Sequence, residues 1–324
     1  MSAPHGLKAI YDQATGLGDE TVQGPYDSEG KIRTFGLQVD AGSIRQFLRW
    51  YLQDPTQGSG VSFEFTGDEI CLQITYFPTR TGSNATFVWR NVVFLIPVSC
   101  SYGGAEEFAF VPVFSFSSNM FGVVSLCEIN GCYTRAAQMW SPNDIWTEDL
   151  KSRAEKRDVF RLHTRVMPKL VEGGEMVMEL LLAVSNAEKR ALPLSRLQSR
   201  WRGALEKTGA NVFYTLKQFP KENDASRSCY QGIVRTEHRP KEDVEMDPQD
   251  HSAVIRLYDY PSHRIRATLG LACESATDKH GQPCHELAPT FYTIASGCFR
   301  EELGRTLAHR ATTIGAQNGW IRDY

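Results

Sequence analysis

Along most of this chain apolar residues recur at every second position or run unbroken for short stretches, the pattern of strands that bury one face or both. Residues 34–39 form the first such run, followed by 61–65, 69–77 and 86–100, with turn residues Gly67-Asp68 and Gly82-Ser83-Asn84 between them. Residues 107–116 give a further strand whose Pro112 favours an edge or a bulge. The pattern continues at 133–140, 159–167, 175–184, 211–218, 228–239, 253–260, 264–273 and 289–296. Only three stretches show helical spacing. Residues 41–52 place Ile44, Phe47, Leu48 and Tyr51 on one stripe. Residues 196–208 carry Ser195 as N-cap, Gln198 to complete a capping box and Gly209 as terminator. A last helix is expected at 300–311.

Many short strands with few helices predict an α+β fold, mainly antiparallel β, built as a barrel or a pair of curved sheets. A parallel α/β order is excluded because helices do not alternate with strands. Residues 1–30 are rich in Gly and Asp and read as a loose N-terminal arm, leaving 31–324 as a single domain. The charged, proline-flanked segment 239–248 reads as a solvated loop rather than a boundary.

Composition narrows the partners. The hydrophobic fraction of 41%, charged fraction of 23% and net charge of −3 are those of an ordinary globular chain, with no basic stripe for nucleic acid. No apolar run is long enough to span a membrane, and the N-terminus has neither a basic start nor an apolar core for a secretory signal. Eight scattered cysteines without such a signal predict reduced, buried thiols and a cytoplasmic location.

The stretch from Phe94 to Pro142 carries the most chemistry. Its order is Leu95-Ile96-Pro97-Val98, an apolar strand from Phe108 to Phe116, residues 119–126, then Glu128-Ile129-Asn130-Gly131-Cys132-Tyr133-Thr134-Arg135. This order resembles the active-site segment of the acetoacetate decarboxylase family, over roughly residues 34–142. There an IPV-like strand, an apolar strand, a short helix and a glutamate-bearing turn precede the lysine that forms a Schiff base. The resemblance implies a cone-like β-barrel with a few peripheral helices, an active site in its interior, and a homo-oligomer. It also places Thr134 where the family has its catalytic lysine and Arg135 at the lysine after it.

That replacement changes the expected chemistry. In the family the lysine works because desolvation or a neighbouring cation depresses the pKa of its amine and so frees it to attack a ketone. Threonine has no amine, arginine stays protonated, and no lysine occurs between Arg90 and Asp149. What the resemblance leaves is Glu128 as a proton-transfer group, Arg135 to hold an oxyanion, and Thr134 and Tyr133 to donate hydrogen bonds. Arg90 and Asn91 fall near the family's second acidic residue, and Trp89 and Phe110 line the cavity or fill the core. Each has a plainer alternative. Glu128 can cap its turn, the arginines can pair with Glu106, Glu107 or Glu128, and Thr134 and Tyr133 suit any strand.

The expected function is therefore a lysine-independent enzyme of specialised metabolism acting on a small, apolar, carbonyl-rich ligand as cyclase, dehydratase or isomerase. The alternatives are a binding protein using the same cavity, or a lyase with a lysine such as Lys169 or Lys217 brought from elsewhere. No cofactor is implied. Phosphate-binding glycine loops and a G-x-S-x-G elbow are absent. The cluster Cys273, His280, Cys284, His285 has no zinc spacing, and Cys127 and Cys132 do not form C-x-x-C.

Overall fold

The computed structural model describes residues 27–54, 60–80, 86–118, 123, 132–140, 160–166, 175–184, 195–221, 224–238, 251–287, 289–292, 299–300 and 312–314. Strand β1 (Asp27–Gln38) leads into helix α1 (Ala41–Leu48). Then come β2 (Val61–Glu64), β3 (Glu69–Arg80), β4 (Thr86–Tyr102) and β5 (Ala105–Ser117). After these follow β6 (Thr134–Trp140), β7 (Phe160–Val166), β8 (Glu175–Val184) and helix α2 (Arg196–Thr208). The last part holds β9 (Asn211–Lys221), β10 (Asp224–His238), β11 (His251–Tyr258) and helix α3 (Asp259–Leu269). Short strands β12 (Cys273–Thr277), β13 (Pro283–Leu287), β14 (Pro289–Tyr292), β15 (Phe299–Arg300) and β16 (Thr312–Ile314) complete it.

The architecture is rich in strands with few helices. One hydrogen-bonded path runs β12-β13-β11-β8-β7-β6-β5-β4-β3-β1-β14, with β2 on β4 and β10 carried by β9. Pairing is antiparallel except where β5 meets β6 and β9. The two ends of the path, β12 and β14, are not paired with each other, so hydrogen bonding among the described residues does not close the expected barrel. No helix among those residues is long and apolar enough to cross a membrane. The described cysteines, Cys71, Cys100, Cys132, Cys273 and Cys284, are free thiols.

Alternation along each strand sorts the sheet into two faces. One carries the main core: Phe35 and Leu37 from β1, Leu72 and Ile74 from β3, Val92, Phe94 and Ile96 from β4, Val111 and Val113 from β5. The other face is covered in its middle by α2, whose Leu197 and Trp201 pack on Cys71, Leu95 and Phe110. Helix α2 has the expected bounds. The Ser195 hydroxyl accepts from the Gln198 amide at 3.1 Å, the Gln198 side-chain oxygen accepts from the Ser195 amide at 2.7 Å, and Gly209 ends the helix at φ +63°.

Four expectations need correction. Asp27–Gly30, assigned to the loose arm, belong to β1, where they pair with β3 and β15. The helix expected at 41–52 keeps α-geometry only to Leu48, then widens to a π-turn over Arg49–Gln53 that still buries Leu52. The strand expected at 264–273 is instead the second half of α3. Arg264 to Leu269 alternates polar and apolar, which reads as a strand, yet Ile265 and Leu269 also lie four apart and both are buried. Pro261 is accommodated in the helix's first turn, and Gly270 stops the helix at φ +55°. A Cβ on Gly270 would come within 2.9 Å of Asp40 and Ser43 side-chain carbons, so the glycine also lets α3 dock on the start of α1. Of the helix expected at 300–311, Arg300 belongs instead to β15, where it pairs with Glu29; residues 301–311, the segment 239–248 and the arm at 1–26 lie outside the described residues.

Candidate functional site

The second face of the sheet is not apolar throughout. Beyond the patch covered by α2 it carries a row of buried neutral polar side chains. Strand β1 contributes Thr34, β3 contributes Gln73 and Thr75, β4 contributes Asn91, β5 contributes Ser115 and Ser117, and β6 contributes Thr134. Register puts them side by side. Thr34 pairs with Gln73, Thr75 with Asn91, Asn91 with Ser117, and Ser115 with Thr134.

A β-bulge in β5 creates this arrangement. Leu95 pairs with Pro112 and Phe94 with Val113, yet Val92 pairs with Phe116, so the two residues Phe114 and Ser115 lie opposite Val93 alone. Phe114 takes φ +48°, the one non-glycine residue with positive φ among those described. Before the bulge Phe110 and Pro112 share the face of Leu95; after it Ser115 and Ser117 do. Unbulged alternation would have put Phe114 and Phe116 there instead. A bulky residue held in the left-handed region stores strain, and such strain concentrates at functional sites. Pro112, expected at an edge or a bulge, lies two residues before the bulge, where β5 has left β9 and has not yet met β6.

Several of these polar groups lack partners. The Thr75 hydroxyl, the Asn91 side-chain oxygen and the Ser115 hydroxyl are buried and make no hydrogen bond. Gln73 donates to the Thr34 hydroxyl at 3.4 Å, and Thr134 donates to the Cys132 carbonyl at 3.0 Å. An unmet buried donor or acceptor costs about 1–3 kcal/mol. Three neighbouring ones make a locally unfavourable surface that a ligand able to bond with them would relieve.

The residues singled out from the sequence divide. Thr134 and Asn91 meet on this face. Tyr133 and Arg135 do not join them. Tyr133 is 70% exposed, and the Arg135 guanidinium lies 5.8 Å from its ring centre, a contact on the outer side of the chain. Arg90 is half-buried on the opposite alternation from Asn91, with its backbone amide and carbonyl both bonded to Ser118. Phe110 is packing: its ring meets Trp201 edge-on at 4.7 Å. Trp89 pairs with Phe77 in the β3–β4 register; its side chain, like all of Glu128 and the turn that carries it, lies outside the described residues.

Glu107, one of the carboxylates considered as a partner for Arg90 and Arg135, is instead held by Arg235 through two 2.8 Å bonds and by the Tyr214 hydroxyl. Burial, reinforced by that bond, pushes the Tyr214 phenol up, and burial lifts the nearby Cys100 thiol to about 11. Both remain protonated at neutral pH. In the Cys273–His285 segment, Asp278 accepts from the amides of His280 and Gln282 and from the Tyr258 hydroxyl, bracing the β12–β13 turn. No group of three metal-ligating side chains occurs among the described residues.

Thr75, Ser115, Ser117, Gln73 and Thr34 were not foreseen. The only sequence signal was Ser115-x-Ser117 closing an apolar strand, and its meaning depends on the bulge.

Comparison with solved structures places the fold. The enduracididine biosynthesis enzyme MppR, bound to the condensation product of pyruvate and imidazole 4-carboxaldehyde, superposes with a TM-score of 0.51 at 11% identity, covering 90% of each chain. The chain's fold is similar to that enzyme's. An acetoacetate decarboxylase from Legionella pneumophila gives a TM-score of 0.48 at 12% identity, covering 86% of this chain and 87% of its own. An acetoacetate decarboxylase-like enzyme from Sphingomonas wittichii gives 0.47 at 12%, covering 86% and 93%. No protein-family model matches the sequence, and no curated protein matches it either.

Proposed function

We propose that the chain is an enzyme of specialised metabolism that binds a small carbonyl-rich compound on the polar face and moves its protons without a Schiff-base lysine. The observation that carries this reading is the row of unpartnered polar groups on Thr75, Asn91 and Ser115 beside Thr134, the position where the family resemblance expects an amine. Hydroxyls both donate and accept, so Ser115 and Thr75 suit a carbonyl oxygen and the enol hydroxyl it becomes, while Thr134, whose proton goes to the Cys132 carbonyl, is left as an acceptor. The unpartnered Asn91 side-chain oxygen, an acceptor, suits the enol hydroxyl, and the amide nitrogen of the same side chain would donate to developing oxyanion charge in a dry site.

Proton transfer falls to Glu128, in the segment leading into Thr134. Its carboxylate would take a proton from the carbon beside the carbonyl, leave an enolate held by the hydroxyls, and return the proton to carbon or to a departing hydroxyl. Isomerisation, dehydration and cyclisation all use that step. The fold neighbour that holds a pyruvate-derived condensation product supports a 2-oxo acid or related ketone as ligand. A closed, cone-like barrel would supply the dry interior.

A second reading is favoured by one feature: the seven buried polar side chains of the row, from Thr34 to Thr134, are all neutral. The same surface would serve a carrier that holds a carbonyl compound unchanged. One experiment separates the two and tests both. Pyruvate isotope-labelled at its keto carbon, followed by NMR in the presence of the protein, should show binding with the carbonyl intact and exchange of its methyl protons with deuterated water. Binding without exchange favours the carrier. Binding that survives unchanged in Asn91→Leu removes the polar face from either account.

A further inference from the structure

A concavity lies at the far end of the same sheet face. It is a cleft of about 750 Å³ between the β4–β5 hairpin and α2, bordered by Tyr102, Phe108, Arg200, Gly203, Ala204 and Lys207. Along β4, Asn91 and the cleft residue Ser99 are separated by about 26 Å at the usual rise per strand residue. Leu95, Phe110 and Trp201 pack between them. The cleft is thus separate from the polar face and independent of the function proposed for it.

Its charges are arranged unequally. Glu107 is neutralised by Arg235. Arg200 is not matched in that way. Its guanidinium donates to the Thr66 carbonyl at 2.9 Å, the Thr66 hydroxyl at 2.7 Å and the Ser99 hydroxyl at 3.0 Å, all neutral acceptors. It lies 5.2 Å from the centre of the Phe108 ring. Burial pulls its pKa down, Arg196 adds to this, and Glu64 opposes both. These bonds fix the guanidinium while leaving part of its five-donor fork unused. Lys207 stands seven residues on, on the same face of α2, and among the described residues the only other carboxylate lining the cleft is the exposed Glu106.

Between the two cations the helix surface is bare. Gly203 occupies the interior of α2, where glycine is among the poorest helix formers. Nothing in the described structure requires it there, because a Cβ at this position would meet no atom within 4 Å. Ala204 beside it is also small. The room above them is therefore unused by the chain's own packing, and aromatic rings wall it on the hairpin side.

We infer that this cleft binds a small amphipathic carboxylate, its head between Arg200 and Lys207 and its apolar body over Gly203 and Ala204 against Phe108 and Tyr102. The volume is in the range of small-molecule sites. The cations supply charge-assisted bonds to the head, and Arg200, already immobilised on Thr66 and Ser99, loses little freedom on binding.

The test is calorimetric titration of the full chain with 4-phenylbutyrate, and with 4-phenylbutylamine as the charge-reversed control. Saturable binding of the acid at millimolar concentration or tighter, without binding of the amine, is expected. Lys207→Gln, at an exposed position, should weaken the acid about two- to fivefold, the range of a solvent-exposed ion pair. Gly203→Phe should abolish binding while leaving the melting temperature unchanged or raised, and Asn91→Leu should bind like the wild type. Failure of the acid to saturate the protein, equal binding of the amine, or full binding by Gly203→Phe overturns the proposal.

Discussion

Replacing Asn91 by leucine is expected to make this protein more stable and less able to hold its ligand. The residue is 5% exposed and its side-chain oxygen has no partner, so the folded state carries the desolvation cost of an unmet acceptor. Leucine has the same branched outline, removes that cost and adds apolar burial, a gain of about 1–3 kcal/mol. Binding of a 2-oxo acid, to which the Asn91 amide nitrogen would donate, should fall by up to about tenfold, the loss of one hydrogen bond of about 0.5–1.5 kcal/mol. Val92, the next residue, serves as the control. It faces the main core with no exposure, so Val92→Ala should cost about 2 kcal/mol and leave ligand affinity unchanged in the folded fraction. Denaturant unfolding of both variants, read beside the pyruvate titration, checks this. A substitution that stabilises while it disables marks a site kept polar for function rather than for folding. Loss of stability in Asn91→Leu together with unchanged binding would mean that the amide is structural.

The second large effect is at Trp201. Its ring is 1% exposed, stacks edge-on against Phe110, and donates its indole N–H to the Asn211 side-chain oxygen at 2.7 Å. Trp201→Ala empties the space beneath α2 and leaves that oxygen without its donor. The expected loss is about 3–5 kcal/mol. Trp201→Phe keeps most of the packing and loses only the hydrogen bond, so about 1–2 kcal/mol is expected. Equilibrium unfolding in urea measures both. The effect should also reach the cleft, since Arg200, Gly203 and Lys207 keep their places only while α2 is seated on Leu95 and Phe110.

Much of the local structure could be read from the residues alone. Strand periodicity located the central strands, and Ser195, Gln198 and Gly209 marked both ends of α2, because caps and alternation are local properties. What failed was anything with two local solutions or a long-range cause. Arg264 to Leu269 satisfies both a period of two and a spacing of four, and the docking of Gly270 on Asp40 and Ser43 belongs only to the helical solution. The bulge at Phe114 was the larger miss. Strict alternation assigns Ser115 and Ser117 to the face of Val111 and Val113, and only the register with β4 reverses that. The same single-residue slip decides which of the candidate residues meet. Thr134 reaches Asn91 through Ser115 and Ser117, whereas Tyr133 and Arg135, its neighbours in sequence, are turned outward. The cleft beneath α2 left no trace in any one segment, because Tyr102, Phe108 and Arg200 come together only when the β4–β5 hairpin packs on the helix.

If a carbonyl ligand is held here by amide and hydroxyl groups alone, it never becomes covalently bound to an amine. Borohydride added to the protein while labelled pyruvate is demonstrably bound, followed by intact-mass measurement and peptide mapping, addresses this directly. The expected result is a protein of unchanged mass, with pyruvate recovered as free lactate. A mass increase that maps to any lysine, whether Lys169, Lys207 or Lys217, would contradict it.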